Sequence, residues 1–195
     1  MTKRLVALIG AISDTRVTMS ATSSSAPGSS NRWPAPGTMT ISRSPESRSR
    51  IDVSSKKRVF EHVGLLFENA LDIGRGQVFD ALLARERLGS TALGHGIAIP
   101  HGRIKGLRDA AGAFVRTRNP IPFEAPDGNP VSLIFVLLVP EKATDLHLQI
   151  LSELAQLFSD KDMRAQLAQL PDVAAVQQLI SEWEPHAPGQ RRAAV

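Results

Sequence analysis

The sequence predicts an α/β protein, a three-layer α/β/α domain with a mixed central β-sheet. Three observations carry that expectation. Helical periodicity comes first along the ordered part of the chain, strand patterns follow, and helical periodicity returns. The run Leu133–Val139, LIFVLLV, is apolar at every position, which suits a strand covered on both faces. Apolar residues make up 42% of the 195, enough to fill a core between layers.

The elements follow in order. Ser54 and Ser55 can cap a first helix, in which Val59, Phe60, Val63, Leu66, Phe67 and Ala70 recur at helical spacing. A loop with Gly74 and Gly76 leads to a second helix, about Gln77 to Leu88, whose apolar face is Val78, Phe79, Leu82 and Leu83. Gly89-Ser90-Thr91 ends it. Strands are expected at Ile97–Ile99, Ala111–Arg116 and Leu133–Val139, with Pro120, Pro122, Pro126 and Asp127-Gly128 punctuating the stretch before the last. Helices resume at about Thr144–Ser159, Asp162–Leu170 and Val173–Trp183.

Charge and composition divide the chain. Residues 1–50 hold seven Lys/Arg against two Asp/Glu, and the remainder sixteen against seventeen, so the net charge of +4 belongs to the front. A nearly neutral folded part lacks the basic face of a nucleic-acid binder, and no nucleic-acid partner is expected. Residues 18–50 are rich in Ser, Pro, Gly and Arg and carry no Phe, too little apolar surface to offset the entropy of ordering. The opening MTKRLVALIGAI faintly resembles a signal peptide, but its apolar part is short, and a misassigned start at Met19 or Met39 is the preferred reading. The expected division is therefore 1–50, a disordered or misassigned segment; 51–183, the domain; and 184–195, a tail. No apolar run reaches the roughly 20 residues of a membrane helix, so no membrane insertion is expected. With no cysteine, disulfides, Cys-zinc sites and thiol catalysis are excluded.

Five histidines are candidates for chemistry. His62 lies within the first helix and His186 in the tail, and both read as incidental. His147, with Thr144 as the N-cap, falls in the first turn of its helix. That position disfavours a protonated imidazole and attracts anions, although a solvated polar residue fits it too. His101 stands in GIAIPHGRIKG, residues 96–106, between Pro100 and Gly102. Pro100 fixes its own φ and biases Ile99 toward extended backbone, and Gly102 allows close approach to the chain. An imidazole so held can be aimed, as a nucleophile requires, with Arg103 and Lys105 as nearby cations; a plain turn after a strand accounts for the same residues. The His95-x5-His101 spacing fits no zinc signature, and no metal site is expected. No G-x-S-x-G elbow supports a serine hydrolase.

The runs ARERLGSTALGHGIAIPHGRIKG, NPIPFEAPDGNPVSLIFVLLVP and HLQILSELAQLFSD together resemble the fructose/mannitol class of enzyme IIA of the phosphotransferase system, most of all its stand-alone nitrogen-regulatory form. The resemblance spans about residues 51 to 183. It implies a mixed sheet between helical layers and a cytoplasmic phosphocarrier. It implies that His101 is phosphorylated by an HPr-type phosphocarrier, that His147 lies across the site and stabilises the phosphoryl group, and that Arg85 binds it. His95 departs from the family pattern, which has a small or polar residue there, and stands open as an additional donor. No metal, nucleotide or other cofactor is required, because the phosphate arrives activated as phosphohistidine. Regulatory target proteins that prefer the unphosphorylated form are the implied partners. The alternatives are a sugar-specific IIA that passes phosphate to a separate IIB component, and a binding module on the same fold that works without phosphate.

Overall fold

The computed structural model describes residues 6–9, 50–142, 145–171 and 173–183. Their centre is a 6-stranded mixed sheet made of β1 (Val6–Ile9), β2 (Ala92–Gly94), β3 (Ile97–Ala98), β4 (His101–Ile104), β5 (Ala111–Ile121) and β6 (Val131–Pro140). The order is β1-β5-β6-β3-β2, with β4 following β3 along the same side of β6. β5 and β6 are antiparallel; β3 and β4 both run parallel to β6.

Alternation along β6 explains why LIFVLLV is apolar throughout. Ile134, Val136 and Leu138 join a core with Val59, Phe60, Val63 and Phe67 of α1 (Lys56–Leu71) and Val78 and Leu82 of α2 (Arg75–Glu86). Leu133, Phe135, Leu137 and Val139 face Ile150, Leu154, Leu157 and Phe158 of α3 (Asp145–Ser159), Met163 and Leu167 of α4 (Lys161–Gln169), and Val176 and Ile180 of α5 (Val173–Glu182). The expected three layers are present, with one core on each face of the sheet.

Local signals set most boundaries. Ser55 caps α1, its Oγ accepting from the Arg58 N–H at 3.4 Å, and Asp72 closes the helix in left-handed conformation at φ 56°. Asp160 caps α4 through the N–H groups of Asp162 and Met163. α2 starts two residues earlier than expected, with Gly76 in its first turn. β5 continues through Pro120 to Ile121, its pairing with β6 interrupted between Arg116 and Ile121, so the proline mark an irregular strand rather than a loop.

Three short strands were not expected. β2 and β4 are three and four residues long; β2 exists by pairing with the neighbouring β3, and β4 by pairing with the distant β6. β1, from the segment read as lying outside the domain, pairs parallel with Ala111–Phe114 at the edge of β5. Farther along the same edge, Ile51 bridges Thr117, its N–H donating to the Arg116 carbonyl at 2.8 Å and its carbonyl accepting from Arg118 at 2.7 Å. The Ser/Pro/Gly-rich stretch up to residue 49, the tail with His186, and Thr144, the expected cap of α3, lie outside the described residues. No helix among the described residues is long and apolar enough to cross a membrane.

Candidate functional site

His101 is not on a turn. Ile99 and Pro100 break the strand for two residues, and His101 then opens β4, paired with Leu137 of β6. The Pro100 carbonyl accepts from the Leu137 N–H at 2.9 Å, while the Ile99 N–H turns the other way to the Thr91 carbonyl at 3.0 Å. The Ile99 carbonyl is thereby available to the side chain two residues on. His101 Nδ1 lies 2.9 Å from it, and since a carbonyl only accepts, Nδ1 carries the proton. The lone pair is left on Nε2.

Nε2 meets Arg85. The guanidinium donates from Nε to His101 Nε2 at 3.0 Å, and from Nη1 to the Gly89 carbonyl, also at 3.0 Å. An acceptor at Nε2 requires the neutral imidazole, in agreement with the tautomer fixed by Ile99. His147 comes from the opposite helical layer, on the first turn of α3, and its ring centroid is 6.1 Å from that of His101 with the planes inclined by 40°. The site therefore lies where the helical layers meet over β4, beside which no further described strand pairs. The structure brings His101, Arg85 and His147 together.

The electrostatics favour the same state. The pKa of His101 is lowered from its ordinary value, first by burial, then by the Arg85 charge and by His147; the bond to Ile99 and the Glu86 carboxylate oppose the shift in part. The ring is neutral at pH 7.

The remaining cations and histidines lie elsewhere. Arg103 reaches the Glu141 carbonyl at 3.5 Å, and Lys105 is exposed. His62 is on α1. His95 occupies the tight β2–β3 turn at φ 53°, its N–H bonded to Asp127 Oδ2 at 2.7 Å. Parallel pairing sets Ile97 opposite Leu133 and His101 opposite Leu137, about 13 Å apart along the strand, so His95 in the turn before Ile97 is out of reach and is no donor to the site. Asp127 itself accepts from His95 and Asn129, which hold its carboxyl at about 2. Gly102, expected to leave room for an approaching group at the site, is instead buried against Ala81 of α2.

Sequence reasoning missed Glu86. It is buried, and it accepts from the Thr91 N–H at 3.2 Å, the Thr91 hydroxyl at 2.6 Å and Lys56 Nζ at 3.1 Å. Lys56 in turn reaches Glu124 at 3.3 Å and lies over the Phe123 ring. This network closes the 87–91 turn whose Gly89 carbonyl holds Arg85. The signal was present: Val78, Leu82 and Glu86 are successive four-residue steps on one helix face, so the apolar stripe ends on a carboxylate.

Known proteins share this arrangement of sequence and fold. The profile of the family described as phosphoenolpyruvate-dependent sugar phosphotransferase system, EIIA 2, matches residues 46–183. A nitrogen regulatory protein of Pseudomonas aeruginosa is 42% identical over 136 residues, covering 68% of this chain and 88% of the relative. The crystal structure of the nitrogen regulatory protein IIA-Ntr from Neisseria meningitidis superposes with a TM-score of 0.64 at 53% identity, covering 67% of this chain and 90% of the other. Mannitol IIA from Escherichia coli, 22% identical, shares the fold with a TM-score of 0.58 over 67% of this chain and 92% of its own. The chain belongs to the EIIA 2 family of the phosphotransferase system and is a phosphoryl-transfer component of that system.

Proposed function

We propose that this protein accepts a phosphoryl group on Nε2 of His101 from an HPr-type phosphocarrier, and that the phosphorylation state of His101 governs its binding to regulatory target proteins. The observation that carries this reading is the tautomer: Nδ1–H is held by the Ile99 carbonyl, and Nε2 presents its lone pair beside a guanidinium. Nε2 attacks phosphorus as the P–N bond to the donor's imidazole breaks, and the donor ring leaves with the electron pair. The proton stays on Nδ1, bonded to the Ile99 carbonyl, so the substituted ring is cationic and the phosphoryl oxygens balance it.

Arg85 moves from the ring nitrogen to those oxygens, which carry the charge in a loose transition state. Its planar fork suits two of them. His147 supplies a donor from the other side. Nothing in this sequence of steps calls for a metal or nucleotide. The nitrogen-regulatory relatives favour this reading over that of a sugar-specific IIA feeding a IIB component.

The test is incubation of the protein with phosphoenolpyruvate and the two upstream phosphotransferase proteins, followed by intact mass. The wild type is expected to gain one acid-labile phosphate and His101→Ala none. A phosphate retained by the variant sinks the assignment, and an unmodified wild type returns the protein to a phosphate-independent binding role.

A further inference from the structure

Gly102 is a glycine for which the backbone gives no reason. It lies inside β4, paired with Leu138, and does not adopt a positive φ. A glycine within a strand weakens it, and often marks a place where another group comes close. Here that group is α2. A Cβ built on Gly102 falls 3.0 Å from the Ala81 Cβ, 3.2 Å from its carbonyl carbon and 3.4 Å from its carbonyl oxygen. Two of the three atoms are backbone and the third is a Cβ attached directly to it, so the helix rather than a flexible side chain has to yield.

Both ends of this contact lead into the site. Gly102 directly follows His101. Ala81 is four residues, one helical turn, before Arg85 and on the same face of α2. The Arg85–His101 bond, at 3.0 Å, thus spans from helix to strand one turn beyond the point where the two backbones come closest. Contacts of 3.0 to 3.4 Å make the helix give by a few tenths of an ångström, which stretches that 3.0 Å bond and weakens it. We propose that Gly102 and Ala81 are a spacer that sets the reach of Arg85 to Nε2 of His101, and so are positioning residues for phosphoryl acceptance. The transfer part of this inference rests on His101 being the acceptor.

The spacer is tested with Gly102→Ala, Ala81→Gly and the double variant, in the full chain, by three measurements. NMR titration of the His101 ring reads its environment without any donor, rapid-quench transfer reads acceptance, and thermal melting reads folding. The charged or titratable groups facing the ring are Arg85 and Glu86 from α2 and His147 from α3. In Gly102→Ala the guanidinium withdraws and the ring is less enclosed, so His101 is expected to titrate at a higher pH than in the wild type. Transfer is expected to slow by about 3- to 10-fold, less than the roughly 100-fold of a full 1 Å misplacement.

Ala81→Gly leaves a gap, fixes Arg85 less well and is expected to move both readouts the same way by less. In the double variant one methyl replaces the other across the contact, and both readouts return toward wild type, a coupling that independent sites do not show. A folded Gly102→Ala with wild-type titration overturns the proposal. So does a double variant that regains its melting temperature but not its titration. Should Gly102→Ala not fold, an unchanged titration in Ala81→Gly overturns it equally. If the wild type takes no phosphate, the acceptor assignment fails while the titrations still decide the spacer.

Discussion

At the scale of single residues, the site holds an imidazole neutral and directs one of its nitrogens outward. Arg85 and His147 approach that imidazole from different layers, and in the proposed function losing either removes a donor to the phosphoryl oxygens. Arg85→Ala and His147→Ala are expected to stay folded and to accept phosphate about 10²–10³-fold more slowly in rapid-quench assays. Rates near wild type for both would take them out of the site. The lowered pKa of His101 has a definite sign in function and in stability. Acceptance is expected to be level above pH 7 and to decline only as pH falls through the lowered value, below 6.5. In Arg85→Ala that acid limb is expected to move to higher pH, since a cation that disfavours protonation is gone. The folded pKa lies below the unfolded one, so the stability linked to this ring is fully present above the unfolded pKa. It is lost as pH falls through the folded pKa.

At the scale of elements, α2 and the turn after it act together. Glu86 ties the end of the helix to Thr91 and Lys56, and the turn so closed offers the Gly89 carbonyl to Arg85. Glu86→Ala leaves the buried Thr91 N–H and hydroxyl without their acceptor, while Lys56 keeps Glu124. Denaturant unfolding is expected to show a loss of about 2–3 kcal/mol. A change below 0.5 kcal/mol would mean that water or another acceptor replaces the carboxylate. On the other face, the buried Arg116 of β5 donates to the Leu167 and Leu170 carbonyls at the end of α4. This supplies a cation to a helix C-terminus that has none of its own in the last turn.

At the scale of the whole molecule, phosphorylation adds roughly −1.5 to −2 charges at one half-buried spot at neutral pH. The chain from residue 51 onward is nearly neutral by its sequence, so the change is large for the surface around His101. A target that docks over this surface is expected to be displaced, and His101→Asp, with a single charge, to weaken binding in part. A competition titration between donor and target checks this. Simultaneous binding at full affinity, or tighter binding of the phosphorylated form, would end the switch reading. The domain is proposed to be complete from Ile51, which bridges Thr117 on the same edge of β5 that β1 pairs with farther back. A chain starting at Met39 gives up β1 and is expected to keep its fold and accept phosphate at the wild-type rate. A collapse of its melting temperature would make the first residues part of the domain.

Much of the molecule was legible in the sequence because it depends on local order. The 3.6-residue spacing of Val59, Phe60, Val63 and Phe67 marks α1, and the unbroken LIFVLLV marks a strand with a core on each side, because side-chain direction follows directly from chain geometry. The quoted runs around His101, Arg85 and His147 carried the family resemblance and named the three residues that the fold gathers. The short strands were not legible. β2 and β4 owe their existence to β3 and β6, and no local pattern of three or four residues competes with that pairing. Only the tertiary structure decided that His101 opens a strand, that its proton sits on Nδ1, and that Gly102 makes room for a helix. It also separated His95 from the site, six residues away in sequence but at the other end of a strand. Each of these depends on which distant atoms come within hydrogen-bonding or contact distance, and a linear sequence does not contain that distance.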